Sequence, residues 1–322
     1  MNRIISLDKI KKINFRWINE YMLIVFVILL SIVFTTIQPK FITADNIANL
    51  LRQASINAII SIGLLLPIIT GGIDLSVGAI AGVAGVFVAG FMRDGISPLI
   101  ASLLVLLIGA AFGSFNGFLI TTLRIAPFIA TLATMTIAEG IKYIYSHSLS
   151  IFIESPSFAM LGGGDFLGIA IPIWLMIILT LILQFVMAKT IYGRSLYATG
   201  GNAEAARLAG INTKRIVFSA YALGALFSAF AGLILASRLA VGSPLAGTTY
   251  VNNAIASVVI GGGSLSGGRG KPFMVLFGAL VIAMVGNFLN LMGVQNYVQR
   301  IIIGFIIIIT VYFAERSKFR RS

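Results

Sequence analysis

Ten stretches of this chain are apolar over the length of a helix, and charge rarely interrupts them. They cover residues 21–37, 48–70, 75–92, 98–121, 127–146, 170–188, 215–236, 250–263, 272–292 and 296–314. A helix needs about 20 apolar residues to cross the hydrocarbon of a bilayer. Every backbone amide and carbonyl there must find a partner within the protein, so only helices and closed barrels cross it. A barrel would show segments of about 10 residues with alternating polarity, and the runs here are unbroken. The expected fold is an all-α polytopic membrane protein of about ten transmembrane helices. Two segments, 75–92 and 250–263, are short or broken by glycine. Only 10% of residues are charged, against about 25% in a soluble domain, and the mean hydropathy is +1.02.

The net charge of +13 reflects topology rather than nucleic acid. With the N-terminus inside, all basic residues except Lys40, Arg52, Arg93, Lys142, Arg238 and Arg300 fall in inside segments. That asymmetry supports ten spans with both ends cytoplasmic, and attraction to anionic membrane lipid follows from it. The expected organisation is a basic cytoplasmic N-terminus (1–20), a single transmembrane domain (21–314) with a cytoplasmic loop at 189–214, and a basic tail (315–322). The run after Arg16 is longer than a signal-peptide core and no small-x-small cleavage site follows it, so it reads as a retained span. The chain has no cysteine, which excludes disulfides and thiolate chemistry. Its one histidine, His147, stands in a Ser-rich stretch without nearby ligand types, so no metal is expected.

Between the second and third runs stands Gly71-Gly72-Ile73-Asp74-Leu75-Ser76-Val77-Gly78. A carboxylate and irregular backbone at membrane depth are tolerated only inside packed protein or beside a watery path. Asp74 reads as the N-cap of a helix starting at Leu75, aided by Ser76. Asn57-Ala58-Ile59-Ile60-Ser61 is echoed by Asn253-Ala254-Ile255-Ala256-Ser257, and each leads into a glycine cluster. A second echo links Phe115-Asn116-Gly117-Phe118 to Gly286-Asn287-Phe288-Leu289. Paired broken segments in two halves point to a translocation path. Its candidate residues are Asn57, Gly71, Gly72, Asp74, Ser76, Asn116, Asn253, Gly262, Ser264 and Asn287. For each asparagine, hydrogen bonding between helices is the competing reading.

The stretch from Gly261 to Pro272 is not a phosphate loop. Gly270-Lys271 would require Gly at 265 and Ser or Thr at 272, where Leu265 and Pro272 stand. The chain therefore has no nucleotide-binding motif of its own, and no catalytic triad or metalloprotease motif. In the 189–214 loop, Asn202 can cap a short helix from Ala203 to Ala209, stopped by Gly210. Glu204 in its first turn and Arg207 in its last both suit the helix dipole. Leu208 and Ile211 give it an apolar edge fit for a partner's groove or a lipid surface.

Gly-Gly-Ile-Asp-Leu-Ser-Val-Gly, the loop Gly-Gly-Asn-x-x-Ala-Ala-Arg-x-x-Gly-Ile, and the run from Ala254 to Gly262 together resemble the membrane permease of bacterial ribose-type sugar ABC importers. The resemblance runs from Pro39-Lys40-Phe41 to the end of the chain. It implies a second permease subunit (identical or different), a cytoplasmic ABC ATPase that uses ATP and Mg, and a periplasmic or lipid-anchored solute-binding protein, with this chain itself in the bacterial inner membrane. By the same resemblance Gly201, Asn202, Glu204, Ala205, Arg207, Leu208 and Gly210 form the coupling helix seated on that ATPase. The implied cargo is a monosaccharide or similar small polyol, with pentoses, hexoses, inositol-like polyols and furanosyl signals all open. Relatives often carry acidic residues around Tyr250-Val251-Asn252-Asn253, and here that stretch is neutral. A proton- or sodium-coupled carrier is the rival reading, with Asp74 and Glu139 as its ionisable candidates. Lys142, one turn from Glu139, suggests a plain ion pair at an outer helix end.

Overall fold

The computed structural model describes residues 15–319, with side chains described for 22–312. The basic residues from Arg3 to Arg16 and from Arg316 to Arg321 lie outside those described side chains. Ten helices coincide with the ten expected runs. They are α1 (Phe15–Ile37), α2 (Ala44–Ile69), α3 (Val77–Arg93), α4 (Pro98–Thr121), α5 (Pro127–Tyr145), α7 (Ile171–Lys189), α10 (Thr213–Leu239), α11 (Tyr250–Ile260), α12 (Pro272–Leu291) and α13 (Asn296–Phe319). Three shorter helices bring the described residues to thirteen: α6 (Pro156–Gly163), α8 (Ile191–Gly201) and α9 (Ala203–Leu208). Two-residue strands β1 (Ile151–Phe152) and β4 (Val241–Gly242) pair antiparallel, as do β2 (Asp165–Phe166) and β3 (Ile169–Ala170). By length and composition α2, α4, α7, α10 and α12 are each sufficient to cross a membrane.

Proline sets many of the helix starts. Pro98, Pro127, Pro156, Pro172 and Pro272 sit in first turns, where the missing N–H breaks no helical bond and the fixed φ suits the helix. Residues 54–69 of α2 are all buried, as expected of a helix that is apolar all round. α2 crosses α10 at a glycine pair, because a Cβ on Gly63 would approach the Gly224 carbonyl to 3.0 Å. α4 lays Gly109, Gly113 and Gly117 along the Phe218–Ala229 face of α10. With little hydrophobic force between helices in lipid, such small-residue stripes let backbones come close enough for dispersion to hold them.

The contacts reveal an internal repeat. α10 packs on α3 and α4, while α2 packs on α11 and α12. Likewise α3 packs on α4 and α5, as α11 does on α12 and α13. The units α2–α5 and α10–α13 thus have the same internal order, each lending its first helix to the other. As α10 rises from Tyr221 through Gly224 to Phe227, its α2 neighbours fall from the Gly72 turn through Pro67 to Gly63. The lead helices run antiparallel, so the repeat is inverted. The Asn116/Asn287 echo falls on true counterparts, α4 and α12. The Asn57/Asn253 echo does not, since α2 and α11 touch each other but are not equivalent.

Candidate functional site

Beyond α7 the chain forms a two-helix foot. Thr190 caps α8 by accepting a bond from the Gly193 amide at 3.3 Å. Leu196 and Thr199 turn inward. Asn202 makes the elbow, and its side-chain oxygen accepts from the Ala205 amide at 2.9 Å. In α9 only Ala206 is buried. Gly201, Asn202, Glu204, Ala205 and Arg207 are exposed, and Leu208 is 75% exposed. Helix α9 ends at Leu208, one residue earlier than expected, with Ala209 as its cap and Gly210 in the left-handed region at φ 85°. Helix α8 was not anticipated. Its glycines at 193, 200 and 201 depress helix propensity, yet Tyr192 and Leu196 are spaced one turn apart on its packed side.

The foot is joined to the rest of the protein by backbone. The carbonyl of Ile69, the last residue of α2, accepts from the Gly268 amide at 2.9 Å. Gly200 of α8 lies against the same carbonyl, and a Cβ there would overlap it. A Cβ on Gly267 would approach the Gly200 carbonyl to 2.8 Å and the Gly71 amide to 3.0 Å. Tyr197 donates its hydroxyl to the Gly270 carbonyl at 2.5 Å. Burial pushes the Tyr197 phenol above its ordinary range, so it remains a donor. The ends of α2 and α11 meet here in matching turns. Gly71 and Gly72 donate to Ile68 and Pro67, and Gly262 and Gly263 donate to Val259 and Val258. Gly71 and Gly262 take φ of 87° and 78°, the left-handed closure that glycine adopts without Cβ strain. Gly262 and Ser264 therefore belong to this junction.

The Asp74 turn is packed rather than open. Asp74 is fully buried, and its Oδ1 accepts from the Ser76 amide at 2.8 Å and the Ser76 hydroxyl at 2.5 Å. Asn116 Nδ2 donates to Ser76 Oγ at 3.0 Å, and the Thr131 hydroxyl donates to the Ile73 carbonyl at 3.1 Å. This corrects the N-cap reading: Asp74 closes an Asx turn onto Ser76, and α3 begins at Val77. Gly72 lies under the Tyr221 hydroxyl, where a Cβ would collide. The segment ties the start of α3 to α4, α5 and α10.

The asparagines divide. Asn287 exchanges two 2.9 Å bonds with Asn46 of α2, and Asn116 belongs to the Asp74 turn, so both hold helices together. Asn57 and Asn253 instead line a cavity of about 470 Å³ between α2, α11, α12 and α13. The Glu139–Lys142 pair is present at 3.9 Å, but Lys142 is fully buried and points at the Ala246 carbonyl, 3.5 Å away. Spacing along one helix could not reveal that inward turn, since the acceptor is over a hundred residues away.

An inverted helical repeat carrying a surface foot is the architecture of a membrane transport protein. Residues 46–311 match the family described as the permease component of branched-chain amino acid transport systems. The chain is 44% identical to the ribose import permease protein RbsC of Bacillus subtilis, over 90% of each chain. It is 38% identical to RbsC of Escherichia coli K12, over 94% of this chain and 95% of that one. The D-allose transport system permease protein AlsC of the same organism is 36% identical over 87% and 86%. No solved structure gives a significant match. The chain belongs to this family of transport-system permeases and is a multi-pass membrane protein.

Proposed function

We propose that this chain is the permease subunit of an ATP-driven importer for ribose or a closely similar sugar, working by alternating access in the inner membrane. The names of its relatives support the sugar. A cytoplasmic ABC ATPase with its own ATP and Mg would drive it, and a binding protein outside would deliver the solute. A second permease subunit would complete the pathway. Gly201, Asn202, Glu204, Ala205, Arg207, Leu208 and Gly210 would seat on the ATPase.

The observation that carries this reading is the junction of Ile69, Gly200 and Gly268. Force on exposed α9 passes through α8 into the ends of α2 and the loop after α11. α2 packs on α11 and α12, so displacing those joined ends would move this packed group as one. At the junction α8 meets these ends through close backbone contacts and the Tyr197 hydroxyl, and tightly packed contacts transmit displacement. The test is sugar uptake into membrane vesicles with ATP, without ATP, and with an uncoupler. Uptake that needs ATP and survives the uncoupler is expected. Uptake that persists without ATP and collapses with the uncoupler would overturn it in favour of an ion-coupled carrier.

A further inference from the structure

The cavity between α2, α11, α12 and α13 has a distinctive lining. Gln53, Asn57, Asn252, Asn253, Asn290, Asn296 and Gln299 contribute seven carboxamides. Among the described residues Arg300 is its one charged side chain, and no carboxylate lines it. Its volume of about 470 Å³ lies within the range of about 300–1,000 Å³ usual for small-molecule sites.

At its inner wall Asn57 is 5% exposed. Its Nδ2 donates to Ser257 Oγ at 3.0 Å, whereas its Oδ1 has no partner in the protein. A buried amide oxygen without a donor is costly to leave unmet. Gly286 and Gly304 also line it, and a Cβ on either would meet nothing within 4 Å. The backbones of α12 and α13 are thus bare toward open space.

We propose that this cavity is the contact site of an uncharged polyhydroxyl solute during passage, with Asn57 Oδ1 accepting from one of its hydroxyls. The inference rests on the importer reading above and assigns its solute a place in the chain. A hydroxyl both donates and accepts, and each carboxamide offers both in fixed positions. An amino acid would need a carboxylate for its ammonium group. A sugar phosphate would need more than one cation.

The test uses the full importer, with ATPase and binding protein, in proteoliposomes supplied with labelled ribose. Gly286→Leu and Gly304→Leu put a side chain into the space, and the Cβ of neither meets the protein within 4 Å. Both retain their partners on co-purification, and uptake at saturating ribose falls about tenfold or more, the scale of a misfitted group in a solute pocket. Because the chain has no cysteine, Gly304→Cys provides a second route. Uptake by one preparation is compared before and after labelling with a bulky maleimide, and it falls on labelling. Unchanged uptake after full labelling, or wild-type uptake by both leucine variants, would overturn the site. Failure of the wild-type complex to use ATP would instead overturn the importer reading.

Discussion

The amide of Gly268 donates to the carbonyl of Ile69 at 2.9 Å, joining the loop after α11 to the last residue of α2. Gly200 of the foot packs against that same carbonyl. One backbone oxygen thus gathers three segments that lie far apart in the sequence, around residues 69, 200 and 268. A Cβ on Gly200 would overlap that oxygen, and Gly268 holds a left-handed φ of 72° that favours glycine.

Adjacent glycines of the foot should behave differently. A Cβ on Gly200 overlaps the Ile69 carbonyl, while one on Gly201 meets nothing within 4 Å. Gly200→Ala should lower stability by about 1–3 kcal/mol, the usual cost of overpacking, seen as a lower Tm in detergent. Gly201→Trp should keep the wild-type Tm but lose ATPase in a pull-down, because its new side chain projects where the partner sits. Intact pull-down by Gly201→Trp would count against α9 as the docking element.

Tyr197→Phe removes the hydroxyl that bonds the Gly270 carbonyl. The expected loss is about 0.5–1.5 kcal/mol for one hydrogen bond. ATP hydrolysis by the assembled complex should persist while the sugar moved per ATP falls. An unchanged ratio would mean that this bond does not serve coupling.

Asp74 contributes an acceptor to a turn, and Asn supplies the same acceptor without charge. Asp74→Asn should insert and transport close to wild type. Asp74→Leu leaves the Ser76 amide unmet, a cost of about 1–3 kcal/mol, and should fail to accumulate in the membrane. Loss of uptake by Asp74→Asn at unchanged Tm would show that the charge itself is used, as in an ion-coupled carrier.

Lys142 is fully buried, with Glu139 at 3.9 Å, one carbonyl at 3.5 Å and the Tyr143 ring 5.6 Å from its ammonium. Replacing so weakly paired a buried charge with an apolar side chain of similar length is often neutral or stabilising. Lys142→Met should match or exceed the wild-type Tm, and Lys142→Ala should fall below it by the equivalent of about 2 kcal/mol or more. A large loss in the methionine variant would show that the ammonium holds the loop before α11.

Helix positions were legible because lipid leaves the backbone one solution, and proline and glycine mark where it starts and stops. The foot's second helix was legible from Asn202, which caps its start, and from Gly210, whose left-handed turn follows its end, both within its own sequence. Its first helix was hidden by glycines that serve contacts with Ile69 and Gly268, distant in sequence. The same limit divided the asparagines: Asn287 and Asn57 look alike in an apolar run, and only the fold gives one Asn46 and the other a cavity. The Asp74 turn was legible as irregular backbone, but whether it met protein or water depended on α4, α5 and α10.

The central claim is that this chain is a gate moved from outside through its foot. Its most direct test is labelled ribose accumulation in proteoliposomes holding the purified chain alone, then with ATPase, binding protein and ATP added. The account predicts no uphill accumulation by the chain alone and accumulation once the motor is supplied. Uphill accumulation by the chain alone would contradict it.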